Sequence, residues 1–392
     1  MKKSWLKKFS LLSISLVLTS AGAISGNIPA MTKAFADESV SSVEMLMTIP
    51  ALFMVIFVLF SSFISKRIGQ KLTVILGLII ALISGVIPAF SKNFIIILIS
   101  RATLGAGLGL FNPLAISMIS DFFDGDERAR LIGFQSAFQG VGTAIMTYVA
   151  GQLLKINWHT TFWVYAIILP ILILFILFVP ERKKIHIKVD NSNQNKNKQS
   201  INLKVIGYII LIFIVMIIYT GAQVKAALLF TSNSYGSATD AASMISIMSI
   251  GSMLAGFIFG SVLKVIRHYM TALSIFLMGG SFSLLAISKN IFISNISGAL
   301  IGISFSLLLP YLFNQIAIVS SEGSATLSTS LLLVGANLGS SFSPYGLAVL
   351  GYLSGVKTVN GIFMAGGIVL VTIAVIELAI TILNNEKDKE NN

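Results

Sequence analysis

Five charged side chains stand where a charge is expensive: Arg101, Lys225, Glu44, Asp240 and Asp121. Arg101 lies some seven residues inside an apolar run, roughly 10 Å deep at ~1.5 Å of helix rise per residue. A cation at that depth costs several kcal/mol unless it is paired or hydrated. It reads in two ways: as a pore-facing or proton-relay residue, or as an arginine that hydrogen-bonds carbonyls of neighbouring helices. Glu44 and Asp240 each stand just before an apolar run, where the positive end of a helix dipole favours an acid. Either could instead carry a proton linked to opening on that side. Lys225, near the end of another run, can snorkel or pair with Glu44 or Asp240 as an outer gate. Asp121 closes the run that holds Arg101. No Asp or Glu falls at the centre of any apolar run, and Glu377 sits close to the end of the last one. Proton-linked chemistry would therefore rest on Glu44, Asp240 or Asp121, or on Arg101 acting on them.

Other chemistries are closed off. There are no cysteines, so disulfides, thiolate catalysis and cysteine metal sites are excluded. The three histidines, His159, His186 and His268, lie in polar connections without ligand spacing. No nucleophile, acid and base converge as an enzyme would need. The expectation is a protein without enzymatic activity, cofactor or metal.

The elements that must position these charges are helices in lipid. Of 392 residues, 55% are hydrophobic and 11% charged, and the mean hydropathy is +0.90. Apolar runs of about twenty residues recur, enough for a hydrocarbon core of ~30 Å. Backbone groups there must be paired internally, so such runs form helices. We expect an all-α membrane protein with twelve spans at 9–31, 43–64, 72–91, 94–119, 131–154, 161–180, 205–230, 242–263, 270–288, 291–318, 325–352 and 359–383. Sorted by side, twenty Lys and Arg fall with the termini and five opposite. This bias places both termini in the cytoplasm of a multi-pass protein of the cell membrane. It also accounts for the net charge of +12 without nucleic acid. A polar linker, 181–204, divides an N-terminal six-helix bundle (1–180) from a C-terminal bundle with a short tail (205–392).

The two bundles repeat one another. Ile99/Ile296, Ser100/Ser297, Gly105/Gly302, Pro113/Pro310 and Gly142/Gly339 pair at an offset of 197, and Glu44/Asp240 at 196. Such parallel repeats imply pseudo-symmetry about an axis along the membrane normal. The opening, "MKKSWLKKFSLLSISLVLTSAGAISG", has the charge and small residues of a secretory signal. Span seven carried back by 197 lands on it, so we read it as a retained first helix. Neutral polar residues on the spans mark a cavity between the halves: Asn27, Asn112, Gln135, Gln139, Tyr148, Tyr219, Gln223, Tyr311, Asn314, Gln315 and Asn337. With plentiful Phe and Met, such a cavity suits a small amphipathic molecule.

The motifs resemble those of the major facilitator superfamily. "SSFISKRIGQK" is similar to the signature between its helices two and three, matched at Arg67, Gly69 and Lys71, with Lys66 at the acid position. "RATLGAGLG" matches the R-x-x-x-G-x-G pattern of helix four, with Gly105 and Gly109, and "DFFDGDERARLIG" resembles the connection after it. The resemblance implies a transporter that rocks two halves around a small-molecule substrate as a monomer. It implies proton-coupled export of drug-like amphipathic compounds, or uptake or export of a sugar or other metabolite, or lipid flipping. It also implies gating by Lys66, Arg67, Gly69 and Lys71, with Gly105 and Gly109 as close-packed or flexible points. Because Lys66 replaces the acid, an attractive contact would need Glu322, just before span eleven. We expect Lys66→Glu and Glu322→Lys each to lower transport and the double variant to recover it; no recovery would exclude the pair.

Overall fold

The computed structural model describes residues 2–123, 125–181, 201–320 and 325–390. Residues 2–34 do not form the single helix expected of the first span. Helix α1 (Lys2–Ser13) passes through three short 3-10 turns, Ile14–Val17, Ser20–Gly22 and Ser25–Asn27, into α2 (Ile28–Ala34), with a bend of 44°. The cause is local: small and hydroxyl residues crowd this stretch, and serines turn onto their own backbone. Ser13 Oγ donates to Ser10 O at 2.9 Å and Ser20 Oγ to Val17 O at 2.6 Å, a habit that bends helices. The segment nevertheless packs as a first span, with Leu11, Ile14, Val17, Ile24, Ile28 and Met31 in the core of the first half.

The remaining spans follow in order: α3 (Val40–Ile68), α4 (Gln70–Val86), α5 (Phe94–Phe122), α6 (Gly125–Leu153), then a 3-10 segment (Thr160–Ile167) leading into α7 (Ile168–Phe178). After the linker come α8 (Leu203–Ser232), α9 (Ala238–Ile266), α10 (Met270–Ile287), α11 (Ile291–Val319), α12 (Ala325–Ser341) with α13 (Ser343–Leu353), and α14 (Val359–Glu390). Among the described residues, eight helical stretches are long and apolar enough to cross a membrane, or nine with the bent first pair. One of them, Ala238–Ile287, contains both α9 and α10. The polar-ended α6 and the broken α12–α13 complete the twelve. The break in α12–α13 falls at Phe342, two residues before Pro344, which sits in the first turn, where its missing N–H costs least.

The buried apolar residues form two main clusters. One buried cluster runs from Leu11 to Val179 and takes in Val224 from across the seam; the main second cluster runs from Val205 to Ala374. The 197-residue offset reappears as contact geometry. Gly142 on α6 packs on the carbonyl of Leu16, and Gly339 on α12 packs on the carbonyl of Phe213, both partners again 197 apart. Gly105 on α5 lies on the backbone of Pro50, and Gly302 on α11 lies on that of Met248. Helix caps repeat as well: Asn93 Oδ1 accepts from Ile95 N at 2.9 Å, and Asn290 Oδ1 from Phe292 N at 2.7 Å. Glycines permit such approach because, with lipid outside, close backbone packing holds spans together.

A methyl group at Gly105 or Gly302 would land on a neighbouring carbonyl oxygen, whereas at Gly207 and Gly280 nothing lies within 4 Å. Gly105→Ala and Gly302→Ala should each destabilise the protein by about 1–3 kcal/mol of overpacking. Gly207→Ala and Gly280→Ala should not lower stability. Thermal unfolding of the detergent-purified variants, followed by tryptophan fluorescence, distinguishes the two pairs.

Candidate functional site

A cavity of about 910 Å³ lies between the two halves. Helical spacing builds its walls. Among the lining residues are Met216, Tyr219, Thr220 and Gln223 on α8 and Ser249, Ser252, Met253 and Gly256 on α9. Both sets follow i, i+3, i+4, i+7, which puts four residues on one face of a helix. From the first half come Leu18, Thr19, Ala21 and Gly22 of the broken helix, Met47, Thr48, Ala51 and Met54 of α3, and Phe134, Gln139 and Thr143 of α6. Ala137 and Gly140 of α6, Val224 of α8, Phe257 and Phe259 of α9, Phe305, Ser306 and Pro310 of α11 and Asn337 and Ser340 of α12 complete the lining. Tyr219 stacks on Phe305 with ring centroids 4.0 Å apart. Thr19 and Thr143 share a hydrogen bond across the break. Among the described residues, no Asp, Glu, Lys, Arg or His lines this cavity.

Charge is held at the seam instead. Lys225 Nζ donates to Glu44 Oε1 at 2.6 Å, joining α8 to α3 across the two halves. The Glu44 side chain is fully buried and that of Lys225 9% exposed, so solvent screening is weak. Glu44 Oε2 is buried without a hydrogen-bond partner. Around the pair the halves touch closely. Thr48 Oγ1 donates to Ser341 O at 2.9 Å and Thr239 Oγ1 to Gly151 O at 3.1 Å. Tyr345 Oη lies 3.3 Å from Met45 Sδ. A methyl at Gly151 would come within 2.6 Å of Ala242 Cβ. These contacts close the end of the bundle opposite the N-terminus.

Asp240 is not equivalent to Glu44. It sits at the third position of α9, and its Oδ2 accepts from Ser237 N at 2.8 Å and Ser237 Oγ at 2.6 Å. Ser237 Oγ in turn accepts from Asp240 N, which completes a capping box. Glu44 stands two residues further from its own cap, Ser39. That shift aims one acid into the seam and folds the other back on its helix end.

Arg101 does not line the cavity. It is fully buried and bridges three spans. Its Nε donates to Leu46 O at 2.9 Å, its Nη1 to Tyr165 Oη at 2.8 Å and its Nη2 to Ala21 O. Tyr165 Oη passes its own hydrogen to Ser20 O at 3.0 Å. Of the two readings open to this residue, the geometry is that of an arginine bound to neighbouring carbonyls.

Four of the nine principal cavity candidates line the wall: Gln139, Tyr219, Gln223 and Asn337. Five do not. Asn27 is buried, donating to Trp158 O at 3.0 Å and accepting from Thr161 Oγ1 at 2.9 Å, so it pins the broken helix to the segment before α7. Gln135 is buried outside the lining, and Tyr311 packs with Ala255, Met270 and Leu307. Asn112 sits 3.7 Å from Met54 Sδ, behind the wall. Asn314 is exposed, as is Tyr148, and Gln315 is not among the lining residues. What the sequence reading missed are the hydroxyls and methionines, although the four-residue stripes on α8 and α9 were present as a signal.

The motif residues between α3 and α4 sit at the end bearing the N-terminus. Gly69 has φ +93°, a backbone state that glycine adopts without penalty. Lys71 Nζ donates to Ile176 O at 3.0 Å near the end of α7, where a cation meets the negative helix pole. The Arg67 guanidinium lies 4.3 Å from the Phe63 ring centroid. Lys66 is exposed at the end of α3 and Asp121 half-buried at the end of α5, while Glu322 lies outside the described residues. Gly109 packs on α3 with a methyl position 2.6 Å from Met54 O. Gly105 and Gly109 thus share one face on α3.

Known proteins agree with this architecture. A 117-residue stretch is 28% identical to the multidrug transporter protein MdtP of Bacillus subtilis, covering 30% of this chain and 21% of that relative. The chain therefore spans about a fifth of the length of this curated relative. A bacterial homologue of the lysosomal transporter Spinster, in an inward-facing occupied conformation, superposes with a TM-score of 0.71 at 15% identity, over 98% of this chain and 97% of that one. A D-xylose–proton symporter superposes with a TM-score of 0.70 at 15% identity, over 95% and 96%. These two likenesses establish the fold. The model of the Major Facilitator Superfamily matches residues 10–232, more than half of the chain, and the protein belongs to that superfamily.

Proposed function

We propose that this transporter exports small, amphipathic, uncharged or singly charged compounds and draws on the proton gradient to do so. The observation that carries the reading is the cavity wall: four methionines, four phenylalanines and a set of hydroxyls and amides, with no ionised side chain. Methionine adapts to different shapes, and sparse polar groups orient a ligand without demanding one pattern. A multiply charged ligand would leave water for a wall that offers no counter-charge, at a cost of several kcal/mol. The drug-transporter name of the Bacillus subtilis relative points the same way.

The buried pair at the seam supplies a gate in this reading. The excess of Lys and Arg beside the termini supports an outer position for the closed end, and in this reading the cavity is served from the cytoplasm. Parting the halves on the outer side requires Glu44 and Lys225 to separate. A proton on Glu44 removes the attraction and makes that step possible. Substrate and proton then occupy different places, one in the neutral cavity and one at its outer lid.

Dye accumulation in cells with and without the protein tests the whole reading. Cells carrying it should retain less of an amphipathic dye, and collapsing the pH gradient should abolish the difference. Equal retention would exclude export, and a difference that survives collapse would exclude proton coupling. Glu44→Gln should keep dye movement down its own gradient and lose the part driven by the pH gradient. Lys225→Met leaves a buried carboxylate without its partner, a loss of about 3–5 kcal/mol. Glu44→Gln with Lys225→Met should restore most of that stability in thermal unfolding.

A further inference from the structure

Arg101, Pro50 and Gly105 meet at one point of α3. Pro50 lies inside that helix and has no N–H. The carbonyl four residues earlier, that of Leu46, therefore lacks its normal helical donor. Arg101 Nε donates to this carbonyl at 2.9 Å. Gly105, one turn further along α5, rests on the backbone of Pro50 itself, leaving room for no side chain. The other end of the guanidinium serves the second place where carbonyls are released. That is the 3-10 turn Ser20–Gly22, through Ala21 O directly, while Tyr165 adds a second donor to Ser20 O, which already accepts from Ala23 N at 2.9 Å. Ala21 and Gly22 line the cavity, and Thr19 beside them does too.

The second half provides an internal comparison. At the offset of 197, Ile247 stands in place of Pro50 and Gly298 in place of Arg101. The helix equivalent to the broken first span, α8, runs unbroken from Leu203 to Ser232. A methyl at Gly298 would meet Met244 Cγ at 2.8 Å, so this side of α11 closes directly on α9. Pro50, the broken first span and Arg101 occur together in the first half, and their equivalents at this offset lack proline, break and arginine together. Among the described residues no carboxylate pairs with Arg101, so its charge is spent on backbone carbonyls.

We propose that Arg101 is a positioning residue whose guanidinium replaces the helical donors removed by Pro50 and by the break at Ser20–Gly22, and so fixes the cavity wall at Thr19–Gly22. A single ammonium cannot span three acceptors that a planar fork reaches. Lysine at this position is accordingly no substitute.

The chain has no cysteine, so Thr19→Cys introduces a single thiol into the cavity wall, and its rate of maleimide labelling reports the wall's position. In that background Arg101→Gln and Arg101→Lys should lower the unfolding temperature alike and change the labelling rate alike. Pro50→Ala returns an N–H to Leu46 O, so Arg101→Gln should lower the unfolding temperature less with Pro50→Ala than without it. Full rescue by lysine would show that charge alone matters and would overturn the proposal. An additive double-mutant cycle would overturn it too, since the two residues would then share no carbonyl. If Arg101→Gln alone gives no folded protein, Pro50→Ala with Arg101→Gln should recover folded yield, and failure to do so counts against it.

Discussion

Every backbone carbonyl released inside a bilayer must find a donor within the protein, and three of the places where carbonyls are released shape this structure. One is the 3-10 stretch between α1 and α2, one is the turn of α3 before Pro50, and one is the break between α12 and α13. Arg101 and Tyr165 serve the first two. At the third, Thr48 of α3 donates to Ser341 O at 2.9 Å. Each donor comes from a different span, so each break also ties spans together. The breaks lie beside the cavity, whose lining includes Thr19, Ala21, Gly22, Thr48 and Ser340. Straight rods would pack the two halves tightly. Interrupted ones leave a space between them and point small polar groups into it.

The same constraint explains what could be read from the sequence and what could not. The spans follow from apolar run length, which is visible in one dimension. The offset of 197 was visible because glycines at close contacts tolerate no side chain. Gly142 and Gly339, each on the carbonyl of a residue that also repeats, show why those positions could not drift. The break in the first span was less legible, since "TSAGAISG" within an apolar run is compatible with either a helix or a bend. The cavity was half legible. Amides stand out in an apolar run and drew attention to Gln139 and Gln223, but they drew it equally to Asn27 and Gln135, which are interior. A hydroxyl is harder to interpret, because in a membrane helix it can bond its own preceding turn. Ser249 Oγ does so, donating to Ile245 O at 3.1 Å, and still lines the cavity. A hydroxyl with its hydrogen so engaged keeps lone pairs for a ligand, and nothing in its sequence context announces that.

Charge is distributed with the same economy. A charge on the cavity wall would be desolvated whenever an apolar ligand filled the space, which weakens binding unless the ligand answers it. Here the wall is neutral, and the carboxylate and ammonium that cross the seam are held against each other at 2.6 Å. Removing both from water costs several kcal/mol per ion, and their attraction offsets this only in good geometry. The pair is therefore close to a balance point, with one carboxylate oxygen already lacking a hydrogen bond. A contact near balance suits the gate proposed at this seam, since deep stabilisation of one state would hold the protein there.

The two halves are alike in packing and unlike in where they bend. In the first half the interruption falls on the opening span and is braced by an arginine from α5. In the second half the opening span is continuous, and the interruption falls on the eleventh, at Phe342. The broken stretch of the first span contributes Thr19, Ala21 and Gly22 to the cavity, and the broken eleventh contributes Asn337 and Ser340. A duplicated bundle with both halves bent identically would present matching walls, suited to a ligand with matching ends. With the bends on different members of the repeat, one wall is a set of small groups on a braced 3-10 turn. The facing wall is the stacked Tyr219 and Phe305 with Gln223 beside them. Two chemically different walls suit the amphipathic compound proposed above as substrate.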